Sequence, residues 1–354
     1  MSKPFVSVLI DTYNHERFIE QAITSVLEQD MPMADVEIVV VDDGSTDRTP
    51  EIVRRFEPRV RLLRKSNGGQ ASAFNTGIPE CRGEIIAFLD GDDWWEKDKL
   101  STILDAFAAN PEIGSVGNGL YEVDADGRRL FVNTPDRQYR CFFRTIEEGI
   151  WFRELMAYMG TSRLAIRRSV LDKILPVPEE IVIEADEYLA TLAVAVSGAL
   201  VIDQPLTNYR YHPGNLYQYG TFDIEKAKRK SDALGCLASQ LPGRLKALGI
   251  SREITDALLE NRKIEAERLR LTMHGGSPWE TFRVEQQAYR VRFDRRSVGY
   301  RIFQTMVLGM TLIMPPRMFY RMRNSYADRG LNRIRRVIAR GVPSKSLVAR
   351  KVAG

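Results

Sequence analysis

Soft metal ligands are scarce in this chain of 354 residues, which has three cysteines and three histidines. Cys81, Cys141 and Cys236 stand far apart with no CxxC spacing, and only His15, His212 and His274 could join them in a cluster. The odd count and the distances argue against a disulfide framework or a zinc site and point to a reducing compartment. Long apolar runs are lacking too. The opening MSKPFVSVLIDTYN meets a charge at Asp11, too soon for a signal peptide, and MVLGMTLIMPP is too short to span a bilayer. A cytoplasmic protein that starts directly with a strand is expected. Acidic residues nearly vanish near the C-terminus: from Arg295 onward Asp328 is the sole acid against 14 Lys and Arg.

What is present divides unevenly. Residues 1–220 carry 23 Lys and Arg against 35 Asp and Glu, and residues 221–354 carry 28 against 12. A part near −12 thus precedes one near +16, so the two have different partners and the basic one faces something anionic. The length suits one large domain, residues 1–220, with an extension, residues 221–354.

The first part alternates strand and helix. Val6 to Ile10 is a buried-strand run, and Phe18, Ile19, Ala22, Ile23, Val26 and Leu27 then recur at helical spacing. VEIVVVDDGSTD is a second strand ending in Asp42 and Asp43, with Ser45 or Thr49 available to cap a helix near Pro50. Val60 to Leu63 and Ile85 to Leu89 read as further strands, with a helix opening at NGGQASAFNTGI. The pattern predicts an α/β fold with a mostly parallel sheet and helices on both faces, whose ligands bind at the carboxyl ends of the strands. Three strands end in carboxylates there: Asp11, Asp42 with Asp43, and Asp90 with Asp92. Such a cluster calls for a cation or for individual donors. Oxygen ligands favour Mg²⁺ or Mn²⁺, which take a few carboxylates together with phosphate oxygens, as on a nucleoside diphosphate. The competing structural reading has Asp92 and Asp93 capping a helix after Trp94 and Trp95.

SVLIDTYNHERFIEQAITSVLEQ, VEIVVVDDGSTDRTPEIV, NGGQASAFNTGIPECRGEIIAFLDGDDWW and PLTNYRYHPGN resemble, in order and spacing, the family 2 glycosyltransferases of GT-A fold. The similarity spans residues 5 to 215. Asp11 departs from it, standing where the family usually has Pro. The resemblance implies a nucleotide-diphosphate sugar donor, UDP-linked by default, contacted by Thr12, Tyr13, Asp42, Asp43, Asn67, Gly69, Asn75, Asp90 and Gly91. It implies a divalent metal on the DxD carboxylates Asp90 and Asp92, with His212 of YRYHPGN in reach of metal or diphosphate.

Inverting transfer needs a carboxylate to take the proton of the acceptor hydroxyl. IVIEADEYLATLAVAVSGALVIDQPL offers Glu184, Asp186 and Glu187. The family's acidic pair stands about 17 residues before the Asp of the next strand end, here Asp203, which lands on Asp186. Glu187 remains the second candidate, and a first-turn acid favouring the helix dipole is the structural alternative. Trp94 and Trp95 are candidate walls of the sugar site. Residues 134 to 165 are expected to shape the site of a glycan or lipid-linked acceptor.

Beyond residue 220 the pattern is helical with charged faces. RMFYRMR and LNRIRRVIAR interleave apolar residues with Arg, and Leu331, Ile334, Val337 and Ile338 share a helical face. This predicts helices lying on an anionic membrane surface at the cytoplasmic side, or a homo-oligomer contact. A nucleic-acid partner is not expected, because the acidic rim would repel it and no recognised motif is present. A sugar nucleotidyltransferase would carry a Gly-rich, Arg- or Lys-containing loop after its first strand, which IDTYNHERF lacks. A non-catalytic sugar-nucleotide-binding protein is disfavoured by the intact Asp92 and Asp186.

Overall fold

The computed structural model describes residues 6–212, 214–215, 224–292, 298–329 and 348–351. The first part runs β1 (Val6–Thr12), α1 (Ile19–Leu27), β2 (Val36–Asp42), α2 (Thr49–Arg54), β3 (Arg61–Arg64), α3 (Gly69–Gly77), β4 (Ile85–Asp90), β5 (Trp94–Trp95) and α4 (Lys99–Ala109). It continues through β6 (Ser115–Val123), β7 (Arg129–Thr134), β8 (Tyr139–Cys141), α5 (Ile146–Leu155), β9 (Ala165–Arg167), α6 (Arg168–Ile174), α7 (Ala185–Ser197) and β10 (Ala199–Arg210). The helices α8 (Ile224–Ala247), α9 (Arg252–His274), α10 (Pro278–Arg292), α11 (Val298–Thr311) and α12 (Pro316–Arg329) follow, then β11 (Val348–Lys351), antiparallel to β7.

Strands β3, β2, β1 and β4 lie side by side and parallel. In β1, β2 and β4 the runs of Val, Ile and Leu are buried on both faces, as parallel strands between helices must be, whereas β3 at the sheet edge is half-buried with Arg61 and Arg64 exposed. Val6, Val8 and Ile10 of β1 join one core with Ile19, Ile23 and Val26 of α1 and with Ile103 and Phe107 of α4. The alternate residue Leu9 faces α3, where a side chain at Gly77 would come within 2.4 Å of it. Asp11 and Asp90 continue that second series, and the register sets them opposite each other, with Thr12 opposite Asp42. The carboxylates therefore reach one rim together.

Past β4 the sheet departs from the parallel expectation. The three-residue β9 is wedged antiparallel between β4 and β6, and β6 runs parallel to β10 but antiparallel to β7. A strand as short as Ala165–Arg167 carries too few alternations to show in the sequence.

Two compact units are formed. One comprises the described residues of 1–212, 240–255 and 346–354, the other those of 213–239 and 256–345. Within the second, Ile264, Leu271, Val284, Ala288, Phe319 and Tyr320 form a core of their own. Beside it Glu285 is clamped by Nε and Nη2 of Arg268, each at 2.7 Å, and by Arg323 at 3.0 Å.

Candidate active site

The rim begins with the β1–α1 and β2–α2 loops, which are stitched together. Ser45 Oγ accepts from the Asn14 N–H at 2.8 Å and Thr49 Oγ1 from the His15 N–H at 2.9 Å. Neither Ser45 nor Thr49 is the N-cap expected of them. The position before α2 is Arg48, whose side chain makes no cap bond, and the tertiary contact takes both hydroxyls. Asp42 is fixed by the Ser45 N–H and by Arg64, each at 3.0 Å. Asp43 accepts from the N–H groups of Gly68 and Gly69, at 3.0 and 2.7 Å, and from Lys65 Nζ at 2.6 Å. It thereby pins the entry of α3. Gly69 sits at φ +81° with the Val182 carbonyl 2.6 Å from where a Cβ would lie, so only glycine fits. Tyr13 and Asn67 are exposed on this edge. Asn75 lies apart: its amide exchanges two hydrogen bonds with the backbone of Val177.

At the end of β4, Gly91 donates its N–H to the Asp11 carbonyl, and a Cβ here would meet Thr12 Oγ1 at 2.6 Å. Asp90 is tied to Ser162 Oγ through its N–H at 3.1 Å and its Oδ2 at 3.2 Å. Asp92 Oδ2 faces His212 Nε2 at 2.9 Å and His15 Nε2 at 3.8 Å. Asp93 Oδ1 accepts from the Arg210 N–H at 2.8 Å, while its Oδ2 is buried without a partner. Neither Asp92 nor Asp93 caps a helix, since α4 starts only at Lys99. Asp90, Asp92 and Asp93 offer oxygens within 4.8 Å of one another.

Burial sets the protonation of this rim. It raises Asp90, helped by the charges of Asp11 and Asp92, and lifts Asp93 to about 7, helped by Asp92. Burial also pushes Asp92 upward, but the two imidazoles and hydrogen bonds outweigh it and hold the group below the usual carboxylate range. Asp11, with a buried and unpartnered Oδ1, is raised to about 8 by burial and then by Asp92 and Asp186.

Asp186 opens the first turn of α7, behind Glu184 in a left-handed conformation at φ 64°. Its Oδ2 accepts from the Thr161 N–H at 3.0 Å and the Thr161 hydroxyl at 3.2 Å, and its Oδ1 from the Glu187 N–H at 2.8 Å. Gln70 Nε2 donates to Thr161 Oγ1 at 2.9 Å, and its Oε1 accepts from the Ala185 N–H. Burial raises the Asp186 carboxyl against the pull of these bonds. The following residue, Ser162, holds Asp90, and its carbonyl accepts from Trp95 Nε1, Lys99 Nζ and Thr207 Oγ1 at 2.8 to 2.9 Å. One short turn, Thr161–Arg163, thus secures both carboxylates. Trp95 is core beneath the site, and Trp94 is half-buried under the Arg210 guanidinium.

The family model "Glycosyl transferase family 2" matches residues 7–175. An uncharacterised glycosyltransferase of Nostoc sp. (strain PCC 7120) is 30% identical over 235 residues, 64% of this chain and 71% of that protein. The chain belongs to glycosyltransferase family 2. EpsJ of Bacillus subtilis, another uncharacterised glycosyltransferase, is 39% identical over 132 residues, 36% of this enzyme and 37% of EpsJ. Residues 1–349 of Staphylococcus aureus TarS, solved with UDP-GlcNAc, align with a TM-score of 0.51 at 18% identity, covering 83% of this glycosyltransferase and 94% of that chain. The fold is GT-A.

Of the residues expected at the site, Asp90, Gly91, Asp92 and His212 come together at one point, and Asp43 and Gly69 meet in one loop. The glycosyltransferase adds His15, Asp93, Lys65 and the Gln70–Thr161–Ser162 set, which sequence reasoning missed. His15 carried a signal, lying just past the carboxyl end of β1 on the rim already rich in acids. Asp93 stands in the same acidic run, where the sequence offers it only as a helix cap; the others carried no signal, because their partners are distant in the chain.

Proposed function

We propose that this enzyme transfers a sugar, with inversion, from a nucleoside-diphosphate sugar to a hydroxyl of a glycan or lipid-linked saccharide, and that residues 1–220 carry the reaction. The observation that supports it most is the single turn holding Asp186 and Asp90: it fixes a base candidate relative to the carboxylates proposed to face the donor. A UDP-linked donor is favoured because TarS, of the same fold, was solved with UDP-GlcNAc. Asp43, Gly68 and Gly69 line the loop assigned to the nucleotide.

The carboxylates of Asp90, Asp92 and Asp93, with the nearby imidazole of His212, form an oxygen-rich donor set suited to Mg²⁺ or Mn²⁺. A divalent ion held there supplies positive charge against the leaving diphosphate. The rest falls to the chain's own groups. Asp186 receives the proton of the acceptor hydroxyl, and burial, which raises its pKa, makes it a stronger base than an exposed carboxylate. Thr161 keeps that carboxylate in place. Glu187 is the second candidate for the base. A lipid-linked acceptor would hold the enzyme at the cytoplasmic face of a membrane.

Release of UDP or other nucleoside diphosphates should be followed across a panel of nucleotide sugars, with Mn²⁺, with Mg²⁺ and in excess chelator. Metal-dependent turnover that falls by about 10²–10⁴ in Asp186→Asn is expected. Equal rates in the variant, or full activity in chelator, overturn the assignment.

A further inference from the structure

The C-terminal helices expose several large apolar side chains. Val307 and Met314 turn inward onto the core around Leu271, Val284 and Phe319. On α11, Ile302, Met306 and Met310 follow at intervals of four, which places them along one helix face. Ile302 and Met306 are 59% and 67% exposed, and Ile313, just past the helix, is 84% exposed. Met318 on α12 is also open. Large apolar groups in a row of this kind mark a contact surface rather than chance exposure.

Charge identifies the occupant. Arg317 and Arg321 are exposed on α12, and residues 295–354 contain one acid. Glu285 of the neighbouring α10 is already neutralised by Arg268 and Arg323. Two copies meeting through this face would bring two cationic rims together, which disfavours a symmetric dimer. Nor does the face belong to a spanning helix. The 14 residues of α11 reach about 21 Å, short of the roughly 30 Å hydrocarbon core, and no helix among the described residues is long and apolar enough to cross. A short helix with an open apolar row in a strongly basic segment suits the plane of an anionic bilayer.

We infer that the row Ile302–Met306–Met310 on α11 and the exposed Ile313 beyond it, together with Arg317 and Arg321 exposed on α12, dock this glycosyltransferase on an anionic lipid surface. The sequence-based expectation puts the membrane face on RMFYRMR and LNRIRRVIAR; Leu331, Ile334, Val337 and Ile338 lie outside the described residues, and α11 adds an exposed apolar row upstream of them. The inference rests on the helices alone and does not require the transfer reaction to be assigned correctly.

Co-sedimentation of the full chain with vesicles of phosphatidylglycerol and phosphatidylcholine, and of phosphatidylcholine alone, tests it. The wild type should pellet with the anionic vesicles and be released by high salt. The triple variant Ile302→Glu, Met306→Glu, Met310→Glu should lose at least tenfold in partitioning with its circular dichroism unchanged. Met306→Glu alone, a substitution at one exposed position, should lose part of the binding and guards against misfolding of the triple variant. Arg317→Ser with Arg321→Ser should lose the salt-sensitive component. Wild-type binding retained by the triple variant, absence of binding by the wild type, or equal binding to neutral vesicles overturns the proposal. Concentration-dependent dimers that the triple variant abolishes, without vesicle binding, would assign the row to a second copy.

Discussion

Thr161 gives both its N–H and its hydroxyl to one oxygen of Asp186, at 3.0 and 3.2 Å. Thr161→Val keeps the shape and the N–H but removes the hydroxyl. A hydrogen bond to a charged group is worth about 1.5–3 kcal/mol, so kcat should fall by roughly tenfold or more while the KM for donor changes little. That bond favours the carboxylate, so its loss raises the Asp186 pKa further and moves the acid limb of the kcat profile to higher pH. Thr161→Ser should restore both. A pH profile that superposes on the wild type would show that the hydroxyl does not tune the base.

Asp92 is the group on which His15 and His212 converge. In Asp92→Ala the affinity for UDP measured by calorimetry with Mn²⁺ should drop to the value found without metal, and the metal-free value should stay where it was. Retained Mn²⁺ enhancement would transfer the role to Asp90 and Asp93.

Asp11 makes stability depend on pH in a defined direction. Its folded pKa, about 8, lies above the ordinary carboxylate value near 4, so the folded state holds a proton that the unfolded chain releases. The associated stability is complete below about pH 4 and is lost as pH rises toward 8. Asp11→Asn stays neutral throughout. Its melting temperature without metal should therefore fall less between pH 6 and pH 8 than that of the wild type. Parallel curves would place the proton elsewhere in the cluster.

Gly69→Ala adds a methyl group at φ +81°, 2.6 Å from the Val182 carbonyl. The left-handed backbone alone costs about 1–2 kcal/mol for a residue with a Cβ, and the contact adds to it. Thermal unfolding should start several degrees lower, and UDP binding should weaken because Asp43 is held by the same backbone. An unchanged melting temperature would mean that the loop yields.

Three of the parallel strands, β1, β2 and β4, could be read from the chain because each carries a mostly apolar run that ends in acid, and a strand buried on both faces allows little else; β3 is the short RLLR, ending in Arg64. Asp90 and Asp92 stand at the end of a strand whose limit the apolar pattern marks, whereas Asp186 is singled out through the family resemblance, by its spacing from Asp203. The uses of Ser45, Thr49 and Asp93 were not. Each is a residue type that favours caps and turns, and the local pattern offered no other use for them than as caps. Their actual partners, Asn14, His15 and Arg210, are 31, 34 and 117 positions away.

Lys99 shows the same limit from inside the core. It opens α4, yet it is fully buried with Nζ bound to Asn118 Oδ1, Ser162 O and Thr207 Oγ1. Burial holds its pKa well below the usual lysine value. Periodicity in the sequence determined which face of each element turns inward, and so the α/β architecture and the rim where the carboxylates gather. Only the tertiary structure decided which polar atoms meet there, because hydrogen bonds form within about 3 Å and that precision comes from strand register and turn geometry, which no local pattern encodes.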